Sequence, residues 1–368
     1  MSATSGSDIL GTIMSAIYVV FFVVTFFFSA RIQTMRTTRT LSKALTKLGG
    51  MRDKAKQEII TAIPKDKANE KNVNARLDRL LQFFTIKPSH MDPAGVTKRY
   101  QHLLDNADER VKDEIKTIAP QANEEQLQNL QNLVEVAQEL NKMYRFVRQY
   151  YILGKKQASQ YSMIEIQMQL PQLMEEAEAY IAFTDAFKQS KPIGDGIGPL
   201  TASKLMTGLE NKFEIAKDTV AAETTIDGRR VIVIKAKGPG GTVGKTGDAI
   251  QTLIEANQGK VSLILMVDAA LKLEGEESGS VTEGIGAAIG GPGIEQYKIE
   301  EVAAKFKVPV YAVVVKESVK EVLAPMTPAI AKAADDVTIA LRRVMQERTK
   351  ENDTVIIVGV GNTMGVAQ

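Results

Sequence analysis

The sequence predicts an α/β protein with an α-helical region: one N-terminal transmembrane helix, a helical cytoplasmic segment and a C-terminal Rossmann-like parallel sheet. Three observations predict it. An uncharged apolar run stands near the N-terminus, apolar residues recur three and four apart through the middle, and four β-branched runs alternate with helical patterns after residue 230. Alternation of that last kind implies βαβ units and parallel strands.

Ile9 to Ala30 holds no charged residue, and about 22 positions suffice for a helix to cross a bilayer. Phe21, Phe22, Phe26, Phe27 and Phe28 make the run too apolar for a water-facing helix. No Lys or Arg precedes it, and it is long for the core of a cleaved signal, so the expectation is an uncleaved anchor at 9–30. Arg31, Arg36, Arg39, Lys43, Lys47, Arg52, Lys54 and Lys56 follow with only Asp53 and Glu58 among them, whereas the tail at 1–8 carries only Asp8. That bias predicts a single-pass protein of the cell membrane, with the tail extracytoplasmic and the bulk of the chain cytoplasmic. Arg31, Arg36, Arg39 and Lys43 also suit anionic lipid headgroups, which attract each such cation by about 1 kcal/mol.

Residues 31–190 read as helical. Asp92-Pro93 has the form of a cap and first-turn proline. Leu133, Val136, Leu140, Met143, Val147 and Tyr151 mark one long amphipathic helix within 123–153. A second spans about 161–190, where Pro171 is expected to kink or split it. Such helices offer surfaces to protein partners. Tyr144 to Tyr151 mixes aromatics with cations, but on a helix the aromatics turn inward while the cations snorkel, so nucleic acid is not the expected partner. Gly194, Gly196 and Gly198, between Pro192 and Pro199, predict a helical hairpin or hinge over 191–212. The hairpin of helix-hairpin-helix modules is similar, and a tight interdomain turn needs the same glycines.

The α/β domain is expected over 213–368. Val231 to Ile234, Val261 to Val267, Val308 to Val315 and Thr354 to Val358 are its strands. Asp248 is placed as the cap of the helix carrying Ile250, Leu253 and Ile254. Open α/β sheets bind ligands at the carboxyl ends of their parallel strands. Here that edge collects Gly238, Gly240, Gly241, Gly244, Lys245 and Thr246 in one loop, Asp268 after the second strand, Lys316 to Ser318 after the third, and Gly361, Asn362 and Thr363 after the fourth. The first loop resembles a phosphate-binding loop, with Lys245 to neutralise phosphate and Asp268 to help hold a metal. It departs from that motif in having Pro239 where the first glycine belongs. Anion binding without hydrolysis and a purely structural turn stay open beside it. The sequence leaves the cofactor unknown, with a nucleotide and magnesium as the candidate these residues suggest. Glu274, Glu276, Glu277 and Glu283 form an acidic loop able to meet a hard cation or simply to lie in water.

Composition narrows the chemistry. The chain has no cysteine and two histidines, His90 and His102. Disulfides, thiol catalysis and cysteine metal sites are excluded, and a histidine-rich zinc site or a Ser-His-Asp triad is disfavoured. A net charge of +2 gives no global field that would gather nucleic acid. The readings that remain are a membrane-anchored cytoplasmic module that binds a phosphate-bearing ligand and protein partners, a metal-dependent phosphohydrolase or nucleotide-processing enzyme, and a non-catalytic scaffold. Asp92-Pro93, Tyr144 to Tyr151, Ile166 to Pro171, Pro192 to Asp195, Val267 to Glu276 and Gly359 to Thr363 together resemble an uncharacterised archaeal family catalogued only as a domain of unknown function. The resemblance spans nearly the full length. It implies a membrane-attached archaeal protein without an assigned activity, and so brings no catalytic residues with it.

Overall fold

The computed structural model describes residues 6–63, 70–86, 93–156 and 160–367. Residues 1–5 of the predicted tail and the predicted cap Asp92 lie outside these. Helices come first: α1 (Gly6–Ala62), α2 (Glu70–Leu80), α3 (Pro93–Ile118), α4 (Glu124–Lys155) and α5 (Gln160–Gln189). A 3-10 turn at Gly194–Gly196 leads into α6 (Ile197–Leu205). Then follow β1 (Lys212–Ala216), β2 (Thr219–Ile226), β3 (Arg229–Ala236), α7 (Thr246–Ala256), β4 (Leu263–Leu271), β5 (Val281–Ile285), α8 (Ile294–Phe306), β6 (Val310–Glu317), α9 (Val319–Leu323), α10 (Pro328–Arg348) and β7 (Thr354–Gly359). Two compact units divide the chain: Met1–Arg52 with Leu140–Met174, and Asp53–Glu139 with Glu175–Gln368.

In the first unit α1 is long and apolar enough to cross a membrane, and none of its apolar window is buried. Phe21, Phe22 and Phe28 are 68%, 71% and 65% exposed. Burial begins only at Thr37, Leu41, Ala44 and Leu48, one helical face spaced three and four apart. Against that face α4 runs antiparallel to α1. The Arg52 guanidinium lies 4.5 Å from the Tyr144 ring centre, and Gly154, much further along α4, sits against Thr38 and Met163. Thr37 Oγ1 donates to Gln167 Oε1 at 3.1 Å, which brings α5 alongside the same turn of α1. Pro171 does not split α5. Buried Ile166 and Leu170 before it, and Ala177 and Ala179 after it, hold both flanks in packed surroundings.

The second unit is mixed α/β around a seven-stranded sheet of order β1-β2-β3-β7-β4-β6-β5. The four predicted strands are its parallel centre, β3, β7, β4 and β6. The sheet as a whole is mixed, not parallel, because β1, β2 and β5 pair antiparallel at its edges. The hairpin from β2 to β3 follows from Asp227-Gly228, where φ is 49° and 77°, the left-handed pair that tight hairpins require. β5 arises within the acidic, glycine-rich segment expected to be a loop. Alternate strand residues serve opposite faces. Val231, Leu265 and Ile357 pack beneath α6 and α10, while Ile232, Ile264 and Ile356 pack against α7 and α8. The glycine-rich segment at 191–212 is packed into this unit: Ile197, Ala202 and Met206 are almost fully buried in the core beneath α6, and Ile193 bridges to Pro325.

A carboxylate cluster at the edge of the parallel strands

The glycine loop after β3 is held by protein on every side. The Gly241 N–H donates to Asn129 Oδ1 at 2.9 Å, and Asn132 Nδ2 returns a bond to the Gly241 carbonyl at 2.8 Å. Helix α4 thus clamps the loop with two amides. A side chain at 241 would run into Asn132, so close approach of the backbone to α4 accounts for glycine there. The Gly244 N–H donates to Thr242 Oγ1 and the Lys245 N–H to Thr219 Oγ1. Gly240 and Thr242 meet Thr363, whose hydroxyl donates to the Gly240 carbonyl at 2.6 Å. Gly238 is joined to Pro239 by a cis peptide bond and packs against the Val366 backbone.

Helix α7 starts at buried Thr246 with Lys245 as its N-cap, three residues ahead of the expected cap Asp248. A carboxylate already occupies its positive end, since the Gly247 N–H donates to Glu295 Oε2 at 2.7 Å. Asp248 instead meets Lys298 Nζ at 2.6 Å. The Lys245 ammonium is 2.7 Å from Asp105 of α3. Burial opposes its charge, but Asp105 outweighs that and holds its pKa above the ordinary lysine value. Beside it opens a polar pocket of about 270 Å³ lined by Asp105, Asp108, Lys112, Glu135, Lys217 and Asn362 among others. The N–H groups of Gly241, Thr242, Gly244 and Lys245 and the Lys245 ammonium are therefore matched by protein groups. Its geometry is that of a docking turn for α3 and α4.

Asp268 lies elsewhere along the same edge, in a cluster the sequence did not single out. Its Oδ1 accepts the Ala269 N–H at 2.8 Å, and the Gly290 backbone also hydrogen-bonds its carboxyl. Asp195, from the 3-10 turn before α6, accepts the Asn362 N–H at 2.7 Å through Oδ2. Gly361 makes that approach possible. Its φ is 129°, and any Cβ there would overlap the Asp195 carbonyl. Glu317, the last residue of β6, is fully buried with Oε2 tucked against Gly194, and neither carboxylate oxygen has a hydrogen-bond partner. Burial, then the Asp195 charge, pushes both Asp268 and Glu317 up to about 8. Burial raises Asp195 as well, against the bond from Asn362. Burial would also raise Glu321, but hydrogen bonds from the Ser318 backbone and hydroxyl and from Ser278 keep it below the usual carboxylate range.

Of the predicted site residues, Asp268, Gly361 and Asn362 meet in this cluster, whereas Gly238, Gly240, Gly241, Gly244, Lys245, Thr246 and Thr363 belong to the docking turn. Asp195 was missed as a lone acid in its segment, whereas Glu317 fell within the edge segment Lys316 to Ser318 but was not singled out from it. The signal available was Glu317 closing an otherwise apolar strand. The acidic loop is neutralised in part, with Glu283 paired to Arg343 and Glu276 near Lys316 at 3.7 Å. Among the described residues, no three His, Cys, Asp or Glu side chains form a ready-made metal cage.

Two family models account for nearly the whole chain. Residues 15–190 match the model described as "Protein of unknown function (DUF1512) N-terminal domain", and residues 193–367 match "Domain of unknown function (DUF1512) C-terminal". No curated protein and no solved structure matches it. The junction of the two models falls just ahead of the 3-10 turn that carries Asp195 into the cluster, and the chain belongs to the DUF1512 family of proteins of unknown function.

Proposed function

We propose that this is a single-pass protein of the cell membrane whose cytoplasmic sheet unit binds a magnesium-class cation through one or two carboxylates of the Asp195, Asp268 and Glu317 cluster, Glu317 among them, and, through that cation, a phosphate-bearing ligand of the nucleotide class. The observation that carries the reading is Glu317. Burying an unpaired carboxylate costs several kcal/mol unless it is protonated or meets a cation. Magnesium asks for little from the protein, since one or two carboxylates suffice when water and substrate phosphates complete its shell. A site of one or two carboxylates is consistent with the lack of a three-ligand cage among the described residues. A phosphate held through the metal also needs no free loop amides, consistent with the hydrogen bonds already made by the N–H groups of Gly241, Thr242, Gly244 and Lys245.

Thermal unfolding of the full chain in detergent, with and without Mg²⁺, tests this. At a free Mg²⁺ concentration a hundred times its Kd, stabilisation of about 2.7 kcal/mol is expected, and Glu317→Gln should abolish it while still folding. The missing cage favours one rival reading, in which the three carboxyls share protons and bind no metal. Unfolding indifferent to Mg²⁺ and Mn²⁺ would establish that rival.

A further inference from the structure

We propose that the α4–α5 corner of the first unit lies on the anionic headgroups of the membrane that α1 spans, a second contact that rests on the anchor reading above. Charge is the first support. The chain is nearly balanced at +2, with 46 Lys and Arg against 44 Asp and Glu. The segments Met1–Arg52 and Leu140–Met174 hold eleven of those cations and only two of the acids, Asp8 and Glu165. The unit carrying the apolar span is thus the strongly basic one.

Height above the bilayer is the second support. Gly154 of α4 and Met163 of α5 meet at Thr38 of α1, eight residues beyond Ala30 and so about 12 Å past the end of the apolar run. Because α4 runs antiparallel to α1, the chain beyond Gly154 heads back toward that run. Lys155 and Lys156 are exposed at this corner, with the Lys155 ammonium 4.7 Å from the Tyr151 ring centre. Where α5 sets out, Tyr161 is 76% and Met168 78% exposed, and Ile164 lies between them at helical spacing. Arg31, Arg36, Arg39 and Lys43 are exposed on α1 over the same span. Exposed Tyr and Met beside Lys and Arg is the mixture that seats at a headgroup layer: rings and thioethers enter the interface while cations pair with lipid phosphate and carboxylate.

The full chain, reconstituted in vesicles containing phosphatidylserine, provides the test. It lacks cysteine, so Val20→Cys, Thr46→Cys, Tyr161→Cys and Met168→Cys each carry a single fluorophore. Lipids spin-labelled near the headgroup should quench the probes at 161 and 168 and spare the probe at 46, which sits about 24 Å along α1 from Ala30. Lys155→Gln with Lys156→Gln should lower the ratio of quenched to unquenched probe about fivefold for each cation removed, and phosphatidylcholine vesicles should abolish the contact. A probe at 20 quenched by deep-chain labels while those at 161 and 168 stay bright would overturn the surface contact and leave the anchor standing. A bright probe at 20 would end both.

Discussion

The costliest residues in the sheet unit are three ionisable groups where water does not reach. Glu317 and Asp268 are raised to about 8 by burial and by Asp195, so the folded state holds their protons more tightly than the unfolded chain does. Stability from this source is complete below the ordinary carboxylate pKa near 4 and is lost as pH rises toward 8. Lys235 works in the opposite direction. Only 1% exposed, with the Ala236 carbonyl 3.1 Å away, it is lowered to about 8 by burial and by the charge of Lys212. Its folded state gives up a proton more readily, so stability is regained between pH 8 and the unfolded value near 10.5. Denaturant titrations in chelator should therefore show a minimum near pH 8. Glu317→Gln should flatten its acid limb and Lys235→Met its alkaline limb. A profile without curvature, or limbs that respond to the wrong substitution, would show that these side chains find water or partners in solution.

At the level of elements, the second unit is divided differently from a reading in which the sheet domain begins at residue 213. Helix α6 places Ile197 and Met206 in the core below the sheet, where losing each large apolar side chain costs about 2–5 kcal/mol. Two such losses rival the whole stability of an ordinary domain. A fragment starting at Phe213 should thus lack a cooperative melt by circular dichroism, while one starting at Ser190 keeps it. Equal melts would show that α6 is dispensable. The central strands were legible because Val231 to Ile234 and Val355 to Val358 are unbroken apolar runs rich in β-branched residues, as a strand covered on both faces requires. The edge strands were not legible. β2 carries Thr-Val-Ala-Ala-Glu-Thr-Thr-Ile, too mixed to stand out, and β5 is interrupted by Glu283 and Gly284. Strand order escaped as well, since β3 and β4 are joined through α7 yet β7 lies between them. The candidate site was half legible: Asp268 and Asn362 sit at strand ends where topology points, whereas Asp195 reaches them from before α6, which no spacing along the chain records.

For the molecule as a whole, polarity and charge are sorted along the chain. The apolar window of α1 is wholly exposed, the unit it belongs to is basic, and the remainder carries 42 of the 44 acids. A helix of 57 residues extends about 86 Å, long enough to cross a bilayer and still reach well beyond the headgroups. Protease added outside sealed cells should leave the region from Arg31 onward intact and digest it only after lysis. Cleavage there from outside would reverse the orientation.

The position of β7 bears on how the protein is made. Thr354–Gly359 fills the gap between β3 and β4, although six strands precede it in the sequence. While a ribosome is still adding residues 272–353, those two strands have no hydrogen-bonding neighbour between them, and Val231 to Ile234 and Leu263 to Val267 stay open to any other extended chain. The apolar N-terminal helix has by then long emerged. Each nascent copy therefore carries an exposed apolar helix and an unfinished sheet together, and crowding of such chains is the stage at which assembly is most exposed to error.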